Sequence, residues 1–269
     1  KIIFGAHIMH VDIVQKAVEF ALKEENEFRM NPDDIEKNIT ENTRLIIINS
    51  PQNPTGSVMT EDQIKHTYEI AEKHDVYLYS DEIYARMIYD NTKFNSPSIY
   101  DKCKDRTIIS NGFSKAFAMT GWRLGAIIGP SVVIEKMKLL LETTSSCVSP
   151  FIQKAGIEAI SGDQSRTINM YKEYNERREL IVDGLNSITS ISCVKPSGAF
   201  YVFPNIKNTG MTSIEFANYI LDDANVAVLP GTNFGEYGEG YVRLCYATTK
   251  EKINEAIKRI DLSMRKLNL

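Results

Sequence analysis

The residues that announce a specialised protein class are scarce in this chain. Tryptophan occurs once and cysteine four times, and Cys103, Cys147, Cys193 and Cys245 lie far apart. They have neither the paired spacing of a metal site nor the density of a disulfide scaffold, so they read as buried or incidental thiols of a reducing compartment. No apolar run approaches the length of a membrane span. The opening KIIFGAHIMHVD breaks its apolar residues with His7, His10 and Asp12, which predicts no signal peptide and a cytoplasmic protein. Neither charge dominates: 31 basic residues face 35 acidic ones, interspersed, for a net charge of −4, which leaves no basic face for nucleic acid. Internal repeats and low-complexity stretches are absent. No G-x-G-x-x-G follows a predicted strand and no P-loop pattern occurs, which argues against nucleotide-dependent hydride or phosphoryl chemistry. The four histidines (His7, His10, His66, His74) lack metal spacing, and His66 and His74 fall on a predicted solvated helix. What remains is an ordinary globular composition, 43% hydrophobic and 25% charged over 269 residues, long enough for one large or two modest domains.

Short β-rich runs alternate with amphipathic stretches. RLIIIN at 44–49 is a continuous apolar run ending in a Pro/Asn/Gly turn, which predicts a strand buried on both faces. Thr60 opens a helix with acids in its first turn and Ile64, Tyr68 and Ala71 at helical spacing. VYLY at 76–79, TII at 107–109 and LGAII at 124–128 read as three further strands. This rhythm predicts an α/β fold with a mainly parallel sheet flanked by helices. A long helix from Ser165 to Leu185 follows. Beyond it short strands (192–195, 200–203, 226–229, 241–246) mix with helices near 213–222 and 250–266, the texture of a smaller C-terminal α+β domain. The expected division is a large domain at 1–165 and a small one, with its connecting helix, at 166–269.

Ligands of open α/β sheets bind at the carboxyl ends of the strands. After the first strand comes NSPQNPTG (49–56), after the second SDEIY (80–84), and after the third SNGFSK (110–115). These offer an amide, a carboxylate with a phenol, and a lysine. Each has a bland reading: NPTG is turn chemistry, Asp81 a helix cap, Tyr84 a packing residue. The run SNGFSKAFAMTGWRLG (110–125) is harder to dismiss, because Lys115 and Arg123 stand in it without a single acid. The apolar neighbours of Lys115 favour a free amine usable as nucleophile or base. Arg123, between Trp122 and Leu124 and beside glycines and hydroxyls, suits a phosphate or carboxylate.

These blocks together resemble the class I/II aminotransferases, pyridoxal-phosphate enzymes of fold type I. GFSKAFAMTGWRLG at 112–125 looks like the cofactor attachment site. NPTG (53–56), DEIY (81–84), PSGAFY (196–201), and PGTNFG with YVRL (230–235, 241–244) resemble further blocks in the family's order, so the likeness covers essentially the whole chain. It implies that Lys115 forms the Schiff base with the cofactor aldehyde and moves the substrate Cα proton. It also implies that Asp81 pairs with the pyridine nitrogen, Asn53 and Tyr84 bond the ring's phenolic oxygen, Arg123 binds the phosphate, and Arg243 holds the substrate α-carboxylate. Asn53 then lies on both the cofactor and the substrate side. The implied reaction transfers an amino group from an α-amino acid (aspartate, aromatic or alanine type) to a 2-oxo acid such as 2-oxoglutarate. The implied assembly is a homodimer with no nucleic-acid or membrane partner. A related C–S lyase or synthase shares every block, and an aminotransferase-like sensing module shares the fold.

Two departures from the family pattern stand out. Family members carry a further stretch before the point where this chain begins, supplying a Gly/Ser-rich phosphate loop and a ring stacked on the cofactor, so the N-terminal portion is expected to be missing. Locally, the position three residues before the lysine, often a phosphate-binding serine, is Gly112, with Ser110 or Ser114 as substitutes.

Overall fold

The computed structural model describes residues 21–267, together with the backbone of two short strands, 2–4 and 17–19. His7, His10 and the signal-peptide reading of the opening lie outside the described residues.

The larger sheet has six strands: β1 (Ile2–Phe4), β2 (Ala17–Glu19), β3 (Leu45–Asn49), β4 (Tyr77–Asp81), β5 (Thr107–Gly112) and β6 (Gly125–Ile128). Their spatial order is β2-β1-β3-β4-β5-β6. All neighbours run parallel except β5 and β6, which are antiparallel. The three strands whose ends carry the candidate chemistry, β3, β4 and β5, are therefore adjacent, with Asn49 opposite Asp81 and Asp81 opposite Ser110.

Helices α1 (Pro32–Asn38) and α2 (Glu61–Lys73) cover one face of this sheet. Ile35, Ile64, Tyr68 and Ala71 close over Ile46, Ile48 and Leu78. Thr60 caps α2 reciprocally: its hydroxyl accepts from the Gln63 amide while the Gln63 side chain accepts from the Thr60 amide. The strand at 45–49 departs from expectation. Ile46 and Ile48 are buried but Leu45 and Ile47 only half so, because α1 and α2 seal a single face. His66 and His74 do lie on the outer side of α2 and its cap, facing Asp33 and Glu36.

Two single-turn helices, α3 (Ser98–Asp101) and α4 (Phe113–Ala116), flank β5. Helices α5 (Ser131–Thr144) and α6 (Pro150–Ser161) follow β6, and α7 (Ser165–Asn186) matches the expected connector. The C-terminal part holds a three-stranded antiparallel sheet in the order β7-β9-β8, from β7 (Tyr201–Val202), β8 (Leu229–Pro230) and β9 (Val242–Cys245). Helices α8 (Ser213–Ala224) and α9 (Lys250–Lys266) pack with α7 around Phe216, Ile220, Ile253 and Met264. The expected strand at 192–195 is reduced to a bridge between Ser192 and Asn205, and the one at 226–229 to its last residue and Pro230. No described helix is long and apolar enough to cross a membrane. All four cysteines are free thiols, Cys103 and Cys193 buried, Cys147 and Cys245 exposed.

Candidate active site

Three parallel strands end at one level, and their last residues are bonded to one another. The Asn49 side chain donates to the Asp81 carbonyl (3.1 Å), and its oxygen accepts from the Asn53 amide (2.9 Å). Asn49 thereby ties the NPTG turn to the end of β4. The Asn53 side-chain oxygen accepts in turn from Arg243 Nη1 at 2.9 Å, across 190 residues of sequence. With its oxygen engaged, the Asn53 amide has its Nδ2 hydrogens left as donors.

Asp81 is half-buried, and its Oδ1 accepts from the Ile83 amide at 3.1 Å. Burial raises its pKa, while hydrogen bonds from Ile83 and the Ser110 hydroxyl pull it back. No cation pairs with Asp81 among the described residues, so its charge is held by dipoles alone. Tyr84 is buried, and its hydroxyl lies 3.0 Å from that of Tyr201. Burial pushes its pKa far above that of a free phenol, the Tyr201 hydroxyl adding to the push.

Lys115 sits on the single turn α4, half-buried, its Nζ 5.5 Å from the centroid of Phe200. Among the described residues no carboxylate pairs with it. Arg243 projects from β9 and is held between two rings, with its guanidinium carbon 4.5 Å from the Tyr201 centroid and 4.7 Å from that of Phe234. Two stacked faces and one amide oxygen hold the fork, and the remaining N–H groups are donors for a planar anion.

Asn53, Asp81, Tyr84, Lys115 and Arg243 thus belong to one connected set of strand ends and facing rings. Arg123 does not join it by any direct bond. Arg123 is exposed, as is Trp122. Positive φ at Ala118 and Arg123 turns the chain outward on either side of a 3₁₀ turn, and the Arg123 Nη1 donates to the Thr120 carbonyl at 3.0 Å. Ser114 is half-buried on the same turn as Lys115.

Gly112 has a local cause. A Cβ there would stand 2.7 Å from Ile83 Cδ1, so a serine at this position requires Ile83 to move. The Ser110 hydroxyl faces Asp81 and Tyr79 and lowers the pKa of both, whereas Ser114 lies beside the lysine on α4. The residues that sequence reasoning left without a role are Asn49, Phe200, Tyr201 and Phe234. Their signal was position: all lie at strand ends or inside the quoted blocks, but partners across 32 to 190 residues are visible only in three dimensions.

Comparison with known proteins shows the family. The sequence profile of the family described as aminotransferase class I and II matches residues 6–260. The aspartate aminotransferase of Pyrococcus abyssi is 47% identical over 256 residues, covering 94% of this chain and 66% of that protein. The aromatic-amino-acid aminotransferase 2 of Thermococcus litoralis is 44% identical over 256 residues with the same coverage. The crystal structure of an aromatic aminotransferase from Pyrococcus horikoshii superposes with a TM-score of 0.91 at 44% identity, covering 94% of this chain and 68% of that one. The chain spans 66% and 64% of the length of the Pyrococcus aspartate aminotransferases it matches. By profile, identity and fold, this chain belongs to the class I and II aminotransferases.

Proposed function

We propose that the protein works as a pyridoxal 5'-phosphate-dependent aminotransferase. It moves an amino group from an α-amino acid of aspartate, aromatic or alanine type to a 2-oxo acid such as 2-oxoglutarate, with Lys115 carrying the cofactor. The observation that carries this reading is the Arg243–Asn53 bond. It sets a stacked guanidinium beside the amide, carboxyl and phenol at the ends of β3 and β4. The relatives described as aspartate and aromatic aminotransferases support the substrate class.

The donor set suits that cofactor. Asp81, raised by burial and without a cationic partner among the described residues, suits a ring N–H⁺. Asn53 Nδ2 and the Tyr84 hydroxyl are donors for a phenolic oxygen, Lys115 is an amine for an aldehyde, and Arg123 and Ser114 are donors for a phosphate. When bound, the cofactor supplies an electron sink for the bonding pair released at the substrate Cα.

The chain's own residues do the rest. Arg243 binds the α-carboxylate through the N–H groups that Asn53 does not use, and so fixes the direction of the Cα–H bond. Such positioning is worth several kcal/mol of the barrier, within the roughly 7–11 kcal/mol available to orientation. Lys115 Nζ takes the Cα proton and returns it on the other side of the exchange. Asp81 holds the proton on the ring nitrogen, where each pKa unit of bias amounts to about 1.4 kcal/mol. Tyr84 and Asn53 donate to the ring oxygen, and Phe200, Tyr201 and Phe234 close the cleft against water.

The same proposal divides the chain into a cofactor-binding part at 1–165 and a small domain at 166–269, and has two copies working together in the cytoplasm. Apolar side chains left open on α5 and α6 support the pairing: Leu139, Leu140, Phe151, Ile157 and Ile160 are all more than half exposed.

Reduction of the cofactor-loaded protein with borohydride, followed by peptide mapping, tests the attachment. The label is expected on Lys115, and a Lys115→Ala protein that still carries it covalently overturns the assignment. An amino-acid panel with 2-oxoglutarate, following both oxo acids, tests the reaction. Stoichiometric exchange is expected, whereas ammonia and pyruvate released without an acceptor would mark a lyase.

A further inference from the structure

Tyr201 touches two members of the site at once. Its side chain is buried, its hydroxyl lies 3.0 Å from that of Tyr84, and its ring carries the Arg243 guanidinium 4.5 Å from its centroid. The Tyr84 and Tyr201 rings stand at 84° with centroids 5.9 Å apart, so they meet by hydroxyls and edges rather than as a stack. Strand pairing fixes this placement. Tyr201 on β7 lies opposite Cys245 on β9, and Arg243 is two residues along β9, on the same face of the ribbon.

The two phenols share one hydrogen bond, and only one of them can be its donor. If Tyr84 gives its proton to Tyr201, it has none to offer the site. If Tyr201 gives its proton, Tyr84 becomes an acceptor on one side and a donor on the other. The cation over the Tyr201 ring polarises its O–H and favours the second arrangement. The titratable groups facing this pair are Asp81 from β4, Arg243 and Cys245 from β9, and Tyr174 from α7.

We propose that Tyr201 is a positioning residue with two separable parts: its hydroxyl donates to Tyr84 Oη and so turns the Tyr84 proton toward the cofactor's ring oxygen, and its ring seats Arg243 for the substrate carboxylate. This rests on the aminotransferase reading above. A hydrogen bond received by Tyr84 strengthens the one it gives. That steadies the anionic ring oxygen, and the Lys115 nitrogen joined to the cofactor beside it then holds its proton less tightly.

Four variants loaded with cofactor separate the two parts: Tyr201→Phe, Tyr201→Leu, Tyr84→Phe and the double variant Tyr84→Phe with Tyr201→Phe. The readouts are the pH midpoint of the cofactor's visible absorption and the KM for the amino acid. Tyr201→Phe keeps the ring and loses the hydroxyl. The expected result is a midpoint raised by roughly 0.3–0.8 pH units with KM within about twofold of the parent. Tyr201→Leu is expected to show the same midpoint shift and a KM raised about tenfold, the scale of a lost cation–π contact. In the Tyr84→Phe background, Tyr201→Phe is expected to move the midpoint no further than about 0.1 unit, because its effect passes through Tyr84. A Tyr201→Phe midpoint equal to the parent's, while Tyr84→Phe shifts it, overturns the proposal. A shift that persists undiminished without the Tyr84 hydroxyl overturns it too. If Tyr84→Phe itself leaves the midpoint in place, the role of Tyr84 in the aminotransferase reading fails, and the inference about Tyr201 falls with it. Melting temperatures of the apo variants show whether each is folded, and a KM for Tyr201→Leu equal to that of Tyr201→Phe removes the seating role of the ring.

Discussion

At the scale of single residues, the site pairs chemical readiness with a cost in stability. Asp81 has a carboxyl that burial pushes up and no cation among the described residues to offset it. A group whose folded pKa lies above its unfolded value contributes stability that is present below the unfolded pKa and lost as pH rises through the folded one. Ionised Asp81 therefore opposes folding of the cofactor-free protein at neutral pH. Asp81→Asn is expected to raise the melting temperature of the apo protein at pH 7 and to leave it unchanged near pH 3. The same change is expected to depress kcat strongly, since an amide cannot hold the ring nitrogen's proton; thermal melts at the two pH values and turnover assays check both halves. Arg243→Lys is a second case. It keeps the charge but gives up the planar fork between Tyr201 and Phe234 and the bond to Asn53. Loss of one charge-assisted hydrogen bond, at about 1.5–3 kcal/mol, corresponds to a fall in kcat/KM of roughly 10- to 150-fold, measured with the preferred amino acid.

Among the elements, periodicity and capping made the helices legible. Thr60 with Gln63 marked the start of α2, and the long polar-apolar repeat from Ser165 marked α7 nearly to the residue. The blocks around Asn53, Asp81 and Lys115 were equally plain, because each ends a strand or opens a turn where the backbone leaves little choice. Short strands of the C-terminal part were poorly legible: 192–195 and 226–229 look extended, yet ladder bonds need a partner in register, and only Ser192 and Leu229 find one. Burial was the other blind spot. Apolar content in 125–128 and 131–144 resembles a core, but every residue of β6 is exposed and α5 buries none. Among the described residues β6 pairs only with β5, so its other edge is open. Ile128, Leu140 and Phe151 are 57%, 63% and 67% exposed. An open apolar edge and two apolar helix faces favour self-association. The chain alone is expected to sediment as concentration-dependent oligomers. Leu140→Lys with Ile157→Lys should shift it toward monomer while changing unfolding free energy by no more than about 0.5 kcal/mol per site, as for other exposed positions.

Across the whole molecule, the segment 196–199, which leads into β7, is bonded to the loops that follow β3 and β4. The Gly198 amide donates to the Gly56 carbonyl (2.8 Å) and the Ala199 amide to that of Met87 (2.9 Å), while the Tyr89 amide donates to the Ser197 carbonyl (3.0 Å). From the α7 side, Arg178 is fully buried, donates from Nη1 to the Pro196 carbonyl at 2.8 Å and from Nη2 to both Asp90 oxygens at 2.8 and 2.9 Å, and lies over the Tyr89 ring. Arg178→Met removes the donor and strands that carbonyl, so a loss of about 2–4 kcal/mol is expected in chemical denaturation. The seam also sets the site's geometry, because Pro51 and Asn53 belong to the turn that Gly198 presses on. A Cβ at Gly198 would stand 2.6 Å from Pro51 Cβ, 2.8 Å from Pro51 Cγ and 3.0 Å from the Met87 carbonyl oxygen. None of these is the free end of a flexible side chain, so Gly198→Ala must part the two segments. Overpacking of this kind costs roughly 1–3 kcal/mol, which still leaves a folded protein. The displacement falls on the Asn53–Arg243 bond, where orientation is worth more than contact, since a misplacement of about 1 Å can cost on the order of 100-fold in rate. Gly198→Ala is therefore expected to lower kcat/KM by about 100-fold under conditions where denaturation curves show the protein more than nine-tenths folded. A variant that loses stability but keeps parent kcat/KM would mean that the seam holds the domains together without setting the distance between Asn53 and Arg243.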